Sequence, residues 1–397
     1  MSIPNLEYKW ITTTDELKAL STQWETGGFL CVDTEFHREK TFYPQLALLQ
    51  VNSDGQNFLI EPDIAKQTPK FLALFSNASI TKVFHSASED CEVLYRALGI
   101  KISSLFDTQI AAAYLGSRNG IGYAALVTEL TGTELAKGET RSDWMIRPLS
   151  NQQEVYAAAD VHYLRDIFIA QQKLIQQQPH LIAWIDEDSD ATAQRVDDLD
   201  NIEDAYLDIK NGWKLNKQQL IRLNALCQWR EKIARQSDRP KPFVLRNEVI
   251  FELAEKGLVE KGGVEKERAD NSRVGDSSKE SVSKLSLPFI KGWHPASLRR
   301  HGTALLELLA QLDYEQDELT QPLSPEFWQK LTAKMQNIKA AIEQVANQLN
   351  IPSDVICSRK LQRQYVAYLL NDKNQKPRGW TKSREQHIGP VIKSVIE

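Results

Sequence analysis

The sequence has only four cysteines, Cys31, Cys91, Cys227 and Cys357, and no two of them form a C-x-x-C pair. Thiols this far apart supply neither a zinc ligand set nor a disulfide framework, and they fit a reducing compartment. Also missing is any run of roughly 18 apolar residues, the length a spanning helix needs, so no membrane partner is expected. The start, Met1-Ser2-Ile3-Pro4-Asn5, lacks the basic-then-apolar pattern of a secretory leader, which points to a cytoplasmic protein. No internal repeat of fixed period is present. Hydrophobic residues make up 42% and charged residues 25% of the 397 positions, ordinary globular usage that excludes collagen, coiled coil and wholesale disorder. The net charge of −5 looks unpromising for a nucleic-acid binder, which needs clustered Lys and Arg.

That sum hides a strong asymmetry. Residues 186–208 hold ten acidic residues against one basic, Arg195, a net −9, whereas 209–250 carry +7 and 355–397 carry +6. The first ~185 residues alternate strand and helix signals, as an α/β domain does. Phe29-Leu30-Cys31-Val32 reads as a buried strand running into Asp33-Thr34-Glu35-Phe36. Gln45–Asn52 and Asn57–Ile60 follow across the turn signal Ser53-Asp54-Gly55-Gln56, which implies an antiparallel meander. Further expected elements are a helix near 65–75, a strand 82–84, a helix 87–98 with a capping-box spacing from Ser86 to Glu89, a strand 100–106, helices 107–115 and 122–130, and a long helix from Ser150 to about Gln178. The acidic block reads as a solvated tether. Beyond it the leucine and tryptophan spacing is helical, interrupted at 255–286 by a charged, apolar-poor stretch that reads as a mobile insertion. The expected domains are therefore 1–185, a linker 186–208, a helical module 209–312 with that insertion, and a second helical module 313–397.

Several carboxylates fall where burial is expected. Asp33 and Glu35 are two apart on one strand, so they share a face. With 53 acidic residues in the chain, about seven such spacings arise by chance, and a solvated strand end is the plain alternative. Asp90 lies in the first turn of its helix, where the helix dipole favours a carboxylate for structural reasons alone. Tyr156 and Asp160 are four apart on one helical face, with Ala157-Ala158-Ala159 leaving room for close approach; a buried Tyr bonded to its neighbour Asp explains them equally. Together the four carboxylates suit Mg²⁺ or Mn²⁺. Two such ions about 4 Å apart activate a water and stabilise the leaving oxygen of an in-line displacement at phosphorus. Tyr156, with an ordinary pKa near 10, would be neutral at pH 7 and would orient that water.

Asp33-Thr34-Glu35-Phe36, His85-Ser86-Ala87-Ser88-Glu89-Asp90 and Tyr156-Ala157-Ala158-Ala159-Asp160 resemble the three exonuclease motifs of the DEDD superfamily, and the Tyr four before the last Asp marks its DEDDy branch. Tyr43-Pro44-Gln45-Leu46, Phe106-Asp107-Thr108-Gln109 and Arg141-Ser142-Asp143-Trp144 with Arg147-Pro148-Leu149 are similar to the ribonuclease D family. The helical modules resemble HRDC domains, through Leu226 to Ala234 with Trp229-Arg230-Glu231, and through Arg239-Pro240. The resemblance covers nearly the whole chain. It implies an α/β ribonuclease-H-like domain, a mixed sheet flanked by helices, followed by two all-α HRDC-like modules. It also implies metal ligation by Asp33, Glu35, Asp90 and Asp160, with Tyr156 positioning the water. The implied activity is 3′→5′ release of nucleoside 5′-monophosphates from structured RNA with short 3′ extensions, notably tRNA precursors, and the implied cofactors are two divalent ions. The 255–286 stretch looks longer and more charged than the usual HRDC connection.

Other residues have weaker claims. Phe36 suits stacking on a terminal base, and a core role suits it equally. His85 is a candidate substrate contact or a structural His; Arg141 is a candidate phosphate contact or a surface ion-pair partner. Asp107 is expected to cap its helix, and Cys31 and Cys91 read as small core residues. The basic stretches of the modules are expected to hold the RNA backbone without reading sequence, with an ordinary solvated surface as the alternative. Two competing functions are a 3′→5′ DNA exonuclease, since the carboxylates do not distinguish sugars, and a non-catalytic RNA-binding protein. The intact carboxylates speak against the second.

Overall fold

A computed structural model of the chain describes residues 6–135, 142–260, 285–315, 319–370 and 375–397. It forms two compact units. The first comprises 1–38, 44–199 and 332–397, the second 39–43 and 200–331. Among the described residues no helix is long and apolar enough to cross a membrane.

The first unit is built on six strands: β1 (Tyr8–Ile11), β2 (Phe29–His37), β3 (Gln45–Ser53), β4 (Gln56–Ile60), β5 (Thr81–Phe84) and β6 (Leu105–Asp107). They lie in the order β1-β4-β3-β2-β5-β6. The expected meander is present as β2, β3 and β4, each antiparallel to the one before it. Its tight turn uses Asp54 and Gly55, with φ of 52° and 84°, the left-handed geometry that a two-residue hairpin requires. β1 adds parallel to β4, and β5 and β6 add parallel beside β2. β1 and the helix α1 (Thr14–Trp24) carry too weak a pattern to have been anticipated.

Helices cover both faces. α1, α3 (Pro69–Ser76) and α4 (Ser88–Leu98) bury Leu17, Phe71 and Leu94 against Leu30, Val32 and Val51 of the sheet. The helix expected near 65–75 is two helices, α2 (Pro62–Lys66) and α3, each with proline in its first turn, where the missing N–H is no loss. α7 (Asn151–Gln177) packs across β2, β3 and β4. It starts as expected, with a full capping box between Ser150 and Gln153. Before it come α5 (Thr108–Tyr114) and α6 (Tyr123–Thr131).

Three expectations require correction. The Ser86–Glu89 capping box is absent: α4 is capped by Ala87 without a side-chain bond, and Ser86 has φ of 62°. Asp107 takes over, its carboxylate accepting the Ser86 and Ala87 amides at 2.9 Å each while capping α5 through Gln109 and Ile110. The 100–106 strand is confined to 105–107, since Lys82 pairs with Leu105 and the sheet edge begins only there. The acidic tether is not a tether over its first half. Residues Ile182–Ala193 form helix α8, beside β6, with Trp184, Ile185 and Ala193 buried. Two of its carboxylates, Asp186 and Asp190, are exposed, while Glu187 and Asp188 accept hydrogen bonds from Ser383 and Arg384, so averaging charge along the chain concealed an apolar face.

The 332–397 segment groups with the first unit, not with the helical module that precedes it. Its Tyr365 and Trp380 rings stack at 3.5 Å, and Ile338, Ile356 and Ile392 are buried. The second unit is helical around α9 (Lys217–Gln236), α10 (Lys241–Val244), α11 (Asn247–Lys256) and the helix Pro295–Ala310, with a core of Leu223, Leu226, Ile250, Leu253 and Leu305. Within it, the Phe42 and Tyr43 amides donate to Asp238 Oδ1 at 2.9 and 3.0 Å. Of the expected 255–286 insertion, Val259–Glu260 and Leu285–Ser286 pair antiparallel, and 261–284 lie outside the described residues.

Candidate active site

β2 alternates, and its two faces have different neighbours. Leu30 and Val32 turn into the core beneath α1, α3 and α4; Asp33 and Glu35 turn toward α7. A register shift between Glu35 and Phe36 marks a β-bulge at the end of this pair, a device common beside active sites because it re-aims the strand. α7 then brings Tyr156 and Asp160, one turn apart, over the same face. Ala157 and Ala158 are fully buried beneath it, and larger residues there would hold the helix off the sheet.

Carboxylate oxygens of Asp33, Glu35 and Asp160 all lie within 4.8 Å of one another. Asp90 reaches the region from the first turn of α4, on the opposite face, where it accepts the Thr34 hydroxyl at 2.5 Å. The convergence is electrostatically unfavourable by itself. Burial, and then the charges of Asp90, Asp160 and Glu35, push the Asp33 carboxyl well above its ordinary range. Burial followed by the charges of Asp160 and Asp90 pushes Glu35 up to about 9. Burial raises Asp160 to about 8 although a hydrogen bond from Tyr156 pulls it down. Asp90 is raised by burial to about 6, with the Thr34 hydroxyl opposing. No basic side chain contributes to any of these four shifts. Among the described residues, like-charged carboxylates are held together without a counter-cation, which a bound divalent ion would supply. Oxygen atoms this close can share one hard cation, whose ligands sit at about 2.1 Å for Mg²⁺. The donor set fits the group.

Burial, then the charges of Asp160, Glu35 and Asp33, drive the Tyr156 phenol well above its ordinary pKa, so it stays protonated and bonded to Asp160. Trp144 packs beside its ring, centroids 6.0 Å apart. Arg147 secures that loop through Glu61, the Trp144 carbonyl at 2.7 Å and the Ala47 carbonyl.

The remaining candidates separate. Phe36, just past the bulge, is half-buried and packs on the core beneath α3 and α4. His85 shares a 3.0 Å hydrogen bond with Thr108 and meets the Tyr123 ring edge-on at 5.5 Å. Burial lowers its pKa, with Asp107 opposing. Arg141 lies outside the described residues. Cys31 and Cys91 are buried free thiols. Two residues escaped the sequence reading. Thr34 sits between Asp33 and Glu35 on the other face, and its hydroxyl is what ties Asp90 to β2. Tyr123 donates to the carbonyls of Ala159, at 3.0 Å, and of Asp160, bracing the turn of α7 that carries the last carboxylate. No local pattern flagged Tyr123, because its partners are nearly 40 residues away.

The chain is similar to known nucleases over most of its length. The 3′-5′ exonuclease family matches residues 8–176, and the HRDC domain family matches residues 219–260. A ribonuclease D of Pseudomonas paraeruginosa is 32% identical, with 98% of both chains aligned. One of Xanthomonas oryzae pv. oryzae is 42% identical over 62% of this chain and 67% of its own. The crystal structure of Escherichia coli RNase D, described as an exoribonuclease involved in structured RNA processing, superimposes with a TM-score of 0.82 at 29% identity, covering 98% of this chain and 99% of that one.

Proposed function

This chain belongs to the ribonuclease D family and is a 3′→5′ exoribonuclease, and from that premise we propose that it trims 3′ extensions of tRNA precursors and other structured RNAs in the cytoplasm. In this reading Asp33, Glu35, Asp90 and Asp160 would hold two divalent ions, Mg²⁺ or Mn²⁺. A pair bound there would supply a nucleophilic hydroxide and neutralise the oxygen that leaves phosphorus. The chain's own contribution is positional. The four carboxylates remain anionic in that state and fix where the phosphodiester is presented. Tyr156 keeps its proton on Asp160, so its phenol oxygen has lone pairs left to accept a hydrogen bond from the attacking water and aim it. The product is a nucleoside 5′-monophosphate.

The observation that carries this reading is the meeting of three carboxylates from β2 and α7 with no basic side chain among the described residues to balance them. The helical parts serve the substrate: the second unit, containing the HRDC match, and 332–397, read as a further HRDC-like module, hold the body of the RNA. The share of 332–397 is smaller than its +6 suggests, since Arg384 pairs with Asp188 and Arg378 with Asp198, both outside the segment.

Incubating wild type and Asp33→Ala with 3′-extended tRNA and a matched DNA, in Mg²⁺ or Mn²⁺, tests the reading. Wild type is expected to shorten the RNA stepwise to the mature end and to leave the DNA largely intact. Equal product from Asp33→Ala would refute the metal site, and preference for DNA would refute the substrate.

A further inference from the structure

The second unit contains a cavity of about 250 Å³ between the Pro242–Arg246 turn and the Gly292–His301 segment. Drug-sized ligands occupy roughly 300–1,000 Å³, so this space is the size of a single flat ring system and not of a duplex. Its lining combines two residue classes. Phe243 stands at the mouth with 62% of its surface exposed. Trp293, half-buried on the helical core, donates its indole N–H to Ser297 at 3.4 Å, and that Ser in turn donates to the Val244 carbonyl at 2.9 Å. These bonds tie the two walls together around the opening. Arg246 and Arg300 line the same cavity.

The charges are available. Three other cations of the unit are paired, Arg235 with Asp200, Lys241 with Glu231 and Lys256 with Glu252. Among the described residues neither Arg246, Arg300 nor the neighbouring Arg239 has an ion-pair partner. Their proximity is felt by His301, which lines the cavity edge-on to Trp229 at 5.3 Å; after burial, the charges of Arg300 and Arg239 keep its pKa below the ordinary value. The two guanidinium groups that line this aromatic slot have no carboxylate partner among the described residues, an arrangement that an anion completes.

We propose that this cavity is a nucleotide pocket for an unpaired stretch of the RNA. The base lies against Phe243 and Trp293, and the flanking phosphates are held by Arg246 and Arg300. Aromatic faces accept any base, and guanidinium groups accept any phosphate, so the pocket selects unpaired strand over duplex without selecting sequence. A paired base has no free face to offer it. The proposal rests on the reading of the chain as an exoribonuclease whose helical parts hold RNA, and it adds where a single-stranded segment is taken.

The test uses the full chain, fluorescence anisotropy and two probes: a short oligoadenylate with phosphorothioate linkages at its 3′ end, and a blunt RNA duplex. Phe243→Ala is expected to weaken oligoadenylate binding by roughly 5- to 100-fold, as loss of a stacked base does, and to change duplex binding less than about twofold. Phe243→Trp should restore affinity, and the melting curve of Phe243→Ala should match wild type because the ring is exposed. The pair Arg246→Ala/Arg300→Ala should weaken oligoadenylate binding and lower its salt slope by about 0.7 for each phosphate that is no longer neutralised. Oligoadenylate affinities within about twofold of wild type in both variants would overturn the pocket, as would equal weakening on the duplex by Phe243→Ala. Release of nucleotide from an unmodified oligoadenylate by wild type is measured alongside. Its absence would refute the enzymatic reading, whereas its presence with unaltered binding by the variants would refute the pocket alone.

Discussion

Two buried polar clusters lie in the first unit, and they are opposites. At the site between β2 and α7, Asp33, Glu35 and Asp160 crowd together with no basic side chain among the described residues to balance them, and burial pushes their pKa values up. At the start of the Lys382–His387 helix, Arg384, 4% exposed, is completely satisfied. Its guanidinium pairs with Asp188 and donates to Tyr114 Oη at 3.2 Å, the Ile356 carbonyl at 2.7 Å and the Gly379 carbonyl at 3.1 Å. Tyr114 closes the loop by donating to Asp188 at 2.7 Å. The second cluster anchors the C-terminal segment to α5 and α8 and requires nothing from outside. The first is incomplete as it stands. Buried charge that is balanced within the chain marks a structural joint; buried charge that is left unbalanced marks a place where the chain expects a ligand.

The sharpest way to break this contrast is Glu35→Gln. The substitution is expected to lower exonuclease turnover by about 10³-fold or more, since a carboxylate is removed from the metal site, while raising the melting temperature of the metal-free protein. Turnover on a 3′-extended RNA and calorimetry in chelator measure the two effects. The stabilisation depends on pH with a determinate sign. The Glu35 carboxyl moves from 4.5 in the unfolded chain to about 9 when folded, and that of Asp160 from 3.8 to about 8. The unfolded state therefore gives up protons that the folded state retains, and wild-type stability without metal falls as pH rises from about 4 to about 9. Glu35→Gln should flatten that fall, and Mn²⁺ should raise the wild-type melting temperature more at pH 8 than at pH 6. A pH-independent melting temperature in chelator would remove the electrostatic premise.

Arg384→Leu tests the other cluster. Removing one partner of a buried pair leaves Asp188 uncompensated, at a cost of about 3–5 kcal/mol, and urea unfolding should register it. Turnover at low temperature should fall far less than in Glu35→Gln. A variant as stable as wild type would show that this network is not the anchor. The smallest effect is expected for Tyr123→Phe. Losing its hydrogen bonds to the Ala159 and Asp160 carbonyls should cost about 1 kcal/mol of stability. If the bond also braces Asp160, the concentration of Mn²⁺ for half-maximal turnover should rise several-fold with KM for RNA unchanged.

Much of the site was legible because its chemistry is local. Asp33 and Glu35 announce a shared face by their two-residue spacing, Tyr156 and Asp160 by their four-residue spacing, and the Ser150–Gln153 capping box marks where α7 begins. Features that depend on remote partners were not. Asp107 caps its own helix as expected, yet it also replaces Ser86 at the head of α4, 20 residues away. The 186–208 block looks like a repelling tether until Asp188, Glu187 and Asp198 meet Arg384, the Ser383 amide and Arg378. Along the chain those charges are nearly 200 residues apart.

The sequence by itself determined the chemical inventory: four carboxylates and a tyrosine in a spacing that backbone periodicity converts directly into shared faces. Only the tertiary structure decided how those faces are used. It brought β2 and α7 together so that three carboxylates converge while Asp90 is tied to Thr34 behind them, and it cancelled part of the basic C-terminal charge against the acidic helix α8. Periodicity is a property of a few consecutive residues, whereas charge balance is a property of whatever the fold places within a few ångströms.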